Sequence, residues 1–454
     1  MSLLGAAEID RLVIDSAIHA NVLPLTSQCD SRCVFCSHRN NPPDIAVAFI
    51  GRRSLAEVTR AMAFLDPAHV ITIGESATPI IEGEPLTHPE FEEIIGLVRR
   101  AFPDTPVEVT TNGRLLTERR VALLAELGGI SLNLSLNSGT SRGRRILMGD
   151  SPEQAARTLS GVEMLGRSTV RFSGSLVAMP NLVGWDDLRE TVRFLGENGA
   201  EAVRVIVPAY AQGADRGRFP DDATIFADVR AFVAGMAAES PCPVLIEPSC
   251  VVDLAAVASG VVQGSPAWNA GLRPGDVLVE VGGERPFSRV SAWMLLQACG
   301  PARVVVARGD AHIELSWETA TQGSAGVTME YDFDAERAGN LWRIIAERRG
   351  RSLLLTSELA HPVVRAVLAA LDVGDERAEA VAVKNRTFGG TIRAAGLLTV
   401  DDYLEAYERW RRPAGAEVAQ MVVPLESFSP AGLDLKRRHF THLANAAGLP
   451  IVLA

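Results

Sequence analysis

Lysine is almost missing from this chain. Of 44 basic residues among 454, only Lys384 and Lys436 are lysines. The rest are arginines, a compositional bias without functional content of its own. Aromatic residues make up 6% of the sequence, against 47% hydrophobic residues overall, and no tract of low complexity occurs. Such a chain has the makings of two or three globular domains, each with its own core. No apolar run approaches the roughly 20 residues needed to cross a bilayer. The opening MSLLGAAEIDRLVID carries acids where a leader would carry bases, so neither insertion nor secretion is indicated and a cytoplasmic location is expected. A formal charge of −11 argues against general binding to nucleic acid backbones. Six cysteines, three of them within eight residues, do not form a disulfide framework, and a reducing compartment suits them better.

What is present is concentrated in those three cysteines, Cys29, Cys33 and Cys36, in the run CDSRCVFC. The spacing C-x3-C-x2-C lets one tight loop aim three thiolates at three corners of a cubane iron-sulfur cluster, leaving the fourth iron without a protein ligand. A structural zinc site, with His38 as a fourth ligand, is the alternative reading. An aromatic residue, Phe35, precedes the last cysteine, and the strand-like run at 22–28 delivers the loop to the end of a sheet. With these features the chain resembles the radical SAM superfamily. The resemblance implies a 4Fe-4S cluster whose open iron is chelated by the amino and carboxylate groups of S-adenosylmethionine.

The first half alternates strand-like and helix-like segments. Apolar β-rich runs fall at 22–28, 69–74, 106–111, 130–136, 169–179 and 202–207, with amphipathic stretches between them. Ser54 with Glu57 reads as a capping box, and Ser151 followed by Pro152 as a cap with a first-turn proline. Six βα units predict an α/β fold, a partial (β/α)6 TIM-type barrel over residues 1–240, with its chemistry on the loops that leave the C-terminal strand ends.

After the second strand comes ESATPIIEGEPLTHPEF. Gly83 permits close backbone approach, and Glu84 and Pro85 follow it. The segment looks like the GGEP motif of the same superfamily, with Glu82 in place of the first glycine, and the resemblance implies contact with the methionyl amino group. Thr110, Thr111, Asn112 and Gly113 end the third strand in TTNG. On a strand, Asn133, Ser135 and Asn137 share one face and suit the ribose or the methionyl carboxylate, or simply form a polar inner wall. Leu176 and the run Val205 to Val207 correspond to apolar walls flanking adenine in relatives, or to core. Arg144, Arg171 and Arg204 are candidates for pairing the methionyl carboxylate or an anionic substrate, with salt bridges as the commoner fate of an arginine.

Near residue 240 the character changes. The stretch 261–297 and the hairpin through Gly309 and Asp310 resemble a bacterial PDZ domain over about 245–330, a fold whose relatives bind an extended peptide at a sheet edge. No clear carboxylate-binding loop is evident; the nearest run is GSAGV, from Gly323 to Val327. Residues 331–454 are expected to form a C-terminal α/β domain. The run NRTFGGTIRAAGLLTVDDY looks like the domain of unknown function that accompanies PDZ and radical SAM domains in one bacterial family, although there the PDZ domain usually comes first. His361, Asn385, Arg386, His439 and His442 are its polar candidates, set against solvated or capping roles. Cys242, Cys250 and Cys299 match no second-cluster spacing and read as small buried hydrophobes.

These resemblances imply a radical SAM enzyme that cleaves S-adenosylmethionine reductively and abstracts hydrogen from a small molecule or peptide, with flavodoxin or ferredoxin as reductant. Methyl or aminocarboxypropyl transfer on the same scaffold is the alternative chemistry. A zinc-stapled PDZ adaptor without activity is the alternative class. No nucleic acid or membrane partner is expected.

Overall fold

A computed structural model describes residues 5–454 except 37, 39, 40, 46, 76–78, 215, 216, 238, 298, 299, 320–324 and 415–417. The chain divides into two compact units. The first comprises residues 1–40, 46–208 and 214–246; the second comprises 41–45, 209–213 and 247–454.

The first unit is built on a six-stranded sheet whose spatial order follows the sequence: β1 (Ile71–Ile73), β2 (Val107–Thr111), β3 (Ile130–Ser135), β4 (Arg171–Val177), β5 (Val203–Ile206) and β6 (Val244–Glu247). The pairings from β1 to β5 are parallel. Right-handed crossovers require helices between parallel strands, and these are supplied by α1 (Ala6–Ala20, ahead of the sheet), α2 (Leu55–Met62), α3 (Phe91–Ala101), α4 (Glu118–Leu127), α5 (Ser141–Met148), α6 (Pro152–Gly166), α7 (Trp185–Glu197) and α8 (Ile225–Met236). Both expected helix starts are as read. Ser54 and Glu57 form a full capping box, and Ser151 forms another with Gln154 around Pro152.

One expected strand differs. The run at 22–28 makes only isolated bridges, Val22 to Thr72 and Thr26 to Arg52. Its backbone beyond Leu23 bonds instead to Gly51, to the side chain of Glu82 and to Gly83. The sixth strand of the sheet is β6, at the start of a segment that the sequence reading assigned to the next domain.

In the second unit, β7 (Val277–Val281), β8 (Gly300–Arg308) and β9 (Ala311–Thr319) form an antiparallel meander beside helix α9 (Arg289–Leu296). A short pair, Gly260–Val261 with Val327–Thr328, completes this small β-rich domain. Its core holds Leu272, Leu278, Leu296, Val304, Val306 and Trp317.

The C-terminal part is a four-stranded parallel sheet of β10 (Ser352–Ser357), β11 (Ala378–Val383), β12 (Gln420–Val423) and β13 (Ile451–Leu453), in the order β11-β10-β12-β13. Helices α10 (Ala335–Glu347), α11 (His361–Ala370), α12 (Val400–Ala414) and α13 (Thr441–Ala447) cover it. Leu353, Leu355, Met421 and Val423 face one core, and Leu354 and Val422 the other. Burial on both faces explains the apolar runs at 353–355 and 421–423 of the two central strands. Among the described residues, no helix is long and apolar enough to cross a membrane.

Candidate functional site

The loop that carries the cysteines follows the extended 22–28 segment. Cys29 is exposed, while Cys33 and Cys36 are half-buried. Helix α5 grips the loop from one side: Arg32 N–H donates to the Met148 carbonyl at 3.1 Å and Val34 N–H to the Leu147 carbonyl at 2.9 Å. The Cys33 sulfur lies 3.5 Å from that of Met148. Phe35 sits half-buried in the turn between the second and third cysteines.

Electrostatics show the three sulfurs to be neighbours. Burial, followed by the charges of Cys29 and Cys36, pushes the Cys33 thiol up to about 12. Cys29 is also raised, chiefly by burial, against a lowering hydrogen bond from Ser31 N–H. Cys29 and Cys33 resist ionisation, and with Cys36 on the same loop they form a donor set for a cationic centre, because a metal cluster supplies the compensating charge. The residues present therefore fit an iron-sulfur cluster. Among the described residues, no three or more His, Cys, Asp or Glu side chains are gathered as ligands of one ion. His38, the fourth ligand of the zinc reading, has its ring engaged by the backbone of Glu82, and burial lowers its pKa.

Gly83 lies directly on this loop. A Cβ built there would stand 2.0 Å from the carbonyl oxygen of Gln28, the residue before Cys29, and 2.7 Å from its nitrogen. The Gly83 N–H donates to the Thr26 carbonyl at 2.7 Å and the Glu84 N–H to the Gln28 carbonyl at 2.8 Å. The glycine's close approach is thus to the cysteine loop's own backbone. Glu82 turns inward and accepts hydrogen bonds from the N–H groups of Leu25 and Thr26, and burial pushes its carboxyl up to about 8.

Glu84 reaches across to the end of β2. It accepts from Asn112 N–H at 2.7 Å, the Thr111 hydroxyl at 2.7 Å and Leu86 N–H at 3.2 Å. Complete burial pushes its pKa up to about 7 despite these donors. Pro85 opens a short 3-10 turn, Pro85–Thr87. Asn112 then returns to the cysteine loop, donating to Asp30 at 3.0 Å and to the Ser31 hydroxyl at 3.1 Å. The GEP segment, the TTNG end and the cysteine loop interlock as one piece.

The remaining expectations separate. Thr110, Asn133 and Ser173 are in register across β2, β3 and β4, as are Ser135, Ser175 and Arg204 across β3, β4 and β5. Asn133 donates to Glu75 at 3.4 Å and to Thr110 at 3.1 Å. Asn137 does not continue the alternation. It lies beyond the strand end with φ of 63°, and its side chain bonds to the Ser135 carbonyl and the Val177 N–H. Leu176 is fully buried and shares a face with Gly174, whose Cβ would strike Leu195 of α7, so it belongs to the helix-side core. Arg171 pairs with Glu201 on the surface. Arg144 is fully buried against Asp150 and the Leu136 carbonyl.

In the second unit, Asn385 and Arg386 serve the NRTFGG loop. Asn385 bridges Leu397 and Phe388, while Arg386 pairs with Glu405 at 2.6 Å. His361 opens α11 and contacts the Ala380 carbonyl at 3.2 Å. His439 contacts the Thr441 hydroxyl, and the backbone N–H of His442 donates to the His439 carbonyl. Cys242 is buried near Ser240, and Cys250 bonds the Pro248 carbonyl. Cys299, Gly323 and Ser324 lie outside the described residues.

Sequence reasoning missed Asp30, Arg114 and Asp150. Arg114 pairs with Asp30 at 3.5 Å and with Asp150 at 3.3 Å, and Asp150 pairs with Arg144 at 2.7 Å. The only signal was an arginine directly after TTNG.

Residues 23–195 match the radical SAM superfamily, and residues 257–307 match the PDZ domain. The chain carries a radical SAM domain followed by a PDZ domain. Among curated proteins, the chain is 30% identical over 181 residues to a GTP 3',8-cyclase of Stenotrophomonas maltophilia, covering 38% of this chain and 53% of that one. A GTP 3',8-cyclase of Rhodococcus opacus is 28% identical over 214 residues, covering 44% and 58%. The chain thus spans about half the length of the curated relatives it matches. Among solved structures, Streptococcus suis SuiB is 18% identical with a TM-score of 0.38, covering 50% of this chain and 49% of that one. The structure of anSMEcpe with bound AdoMet is 16% identical with a TM-score of 0.38, covering 52% and 69%.

Proposed function

We propose that this radical SAM protein holds a 4Fe-4S cluster on Cys29, Cys33 and Cys36, cleaves S-adenosylmethionine reductively, and abstracts hydrogen from a small-molecule or peptide substrate. The observation that carries this reading is the interlock of Gly83 with Gln28 and of Glu84 with Asn112, which joins the cysteine loop to two strand ends. Bound there, the cluster supplies an electron and an open iron for the sulfonium cofactor, the difficult chemistry of this family.

The chain's own part is orientation. Helix α5 fixes the cysteine loop through the Leu147 and Met148 carbonyls. Glu84 spends its carboxylate on Thr111, Leu86 and Asn112, so the backbone around Gly83 is the surface left to meet a ligand's ammonium. The inner face of the sheet, with Thr110, Asn133, Ser135, Ser175 and Arg204, lines the space where a polar substrate is received. The match to the cyclases covers about half of those proteins, so this reading borrows from them the use of the cofactor and leaves GTP aside.

Anaerobic reconstitution tests the proposal. The expected product is a brown protein with about four irons per chain, which yields 5'-deoxyadenosine from S-adenosylmethionine under dithionite. A colourless protein holding one zinc and no iron would instead establish the stapled adaptor. Iron loading with methylated or aminocarboxypropylated product and no 5'-deoxyadenosine would establish group transfer.

A further inference from the structure

The ion pairs behind the cysteine loop are more than a fastening. Arg144 is carried by α5, three residues before Leu147 of the Leu147–Met148 pair that hydrogen-bonds the loop on both sides of Cys33. Its side chain is completely buried. Nε donates to Asp150 at 2.7 Å and Nη1 to the Leu136 carbonyl at 2.7 Å, while Nη2 has no hydrogen-bond partner among the described residues. Asp150, the only carboxylate paired with Arg144 among the described residues, is shared with Arg114, which also pairs with Asp30. Cys33 appears among the charges that act on Arg144, and Arg144 among those that act on Cys33.

A buried guanidinium is always charged and costs several kcal/mol to desolvate unless it is fully compensated. One shared carboxylate leaves this one undercompensated. The helix that holds Arg144 is the one docked on Cys33, and the charges of Arg144 and Cys33 act on each other. In a low-dielectric setting, such a charge acts on its neighbours with little screening.

We propose that Arg144 is a positioning residue for the cluster, a buried positive charge that favours its more negative, reduced state and so raises its reduction potential, with Asp150 as the opposing control. This inference rests on the cluster reading above. Its measure is the cluster's midpoint potential, taken by anaerobic titration with dithionite and mediators, and followed by the electron paramagnetic resonance signal of the reduced cluster.

Arg144→Met removes the positive charge and is expected to shift the midpoint to more negative values. Asp150→Asn removes the opposing negative charge and is expected to shift it to more positive values. Arg144→Lys keeps the charge and is expected to stay closer to the unmodified protein than Arg144→Met. Opposite signs separate this effect from simple loosening of the loop, which would move both variants in one direction. Equal midpoints in all three variants, or shifts of the same sign for Met and Asn, overturn the inference. If Arg144→Met does not fold, Asp150→Asn decides alone: a positive shift supports the role, and none rejects it. An unmodified protein that takes up no iron would reject the cluster reading itself, a result recognisable before any variant is made.

Discussion

Gly83 has no room for a side chain, because the space a Cβ would take belongs to the main chain of Gln28. Backbone cannot swing aside as a flexible side chain can, so Gly83→Ala is expected to cost at least the ~1–3 kcal/mol typical of overpacking and to push Cys29 out of place. Iron bound per chain after reconstitution is the measure, and full loading would count against the interlock. Glu82 and Glu84 add a pH dependence. Both carboxyls are raised by burial, to about 8 and about 7 from 4.5. A folded-state pKa above the unfolded one contributes stability below the unfolded value and loses it as pH rises through the folded value. Melting temperature is therefore expected to fall between about pH 5 and pH 8. Glu82→Gln should flatten that fall, and an identical slope in the variant would show that the acid plays no part in it.

At the scale of elements, caps and turns follow local chemistry. Ser151 bonds the N–H of Gln154 and receives its side chain in return, and Ser151→Ala is expected to lower stability by about 1 kcal/mol, read from chemical denaturation. The NRTFGG loop depends on one distant carboxylate. Asp402 of α12 accepts from the N–H groups of Arg386, Thr387 and Thr399 and from the Thr399 hydroxyl. Removing it orphans three backbone donors, each worth about 1–3 kcal/mol when buried. Asp402→Ala is thus expected to accelerate amide hydrogen exchange at 386–388, with β10 and β12 unaffected. Exchange unchanged at those residues would mean that the loop is held by other contacts. The strand-like run at 22–28 fails to become a strand for a related reason. Its apolar residues suit a sheet, but Glu82, Gly83 and Gly51 take up its hydrogen-bonding groups.

For the whole molecule, a centre that binds only the folded state stabilises it by mass action. Reconstitution with iron and sulfide is expected to raise the melting temperature, and a triple substitution of Cys29, Cys33 and Cys36 by alanine should abolish the increase. The same gain in the triple variant would place the iron elsewhere. Much of the architecture was open to inspection in the sequence. The βα alternation, the Ser54–Glu57 capping box, the Ser151 cap with its first-turn proline, the cysteine triplet, GEP and the small PDZ-like domain rest on local spacing and short-range hydrogen bonding, which a linear chain states directly. The sixth strand, the loss of the first, the retreat of Leu176 and Arg144 into the interior and the turn of Asn137 out of register depend on partners 40 or more residues away in several cases, as with Val177 and Asn137. The chain's own order determined that three thiols lie on one loop beside a glycine-rich strand end. Only the tertiary structure decided that Gly83 serves the backbone of Gln28 and that a buried arginine stands behind Cys33, because packing and charge compensation are set by which surfaces meet in space.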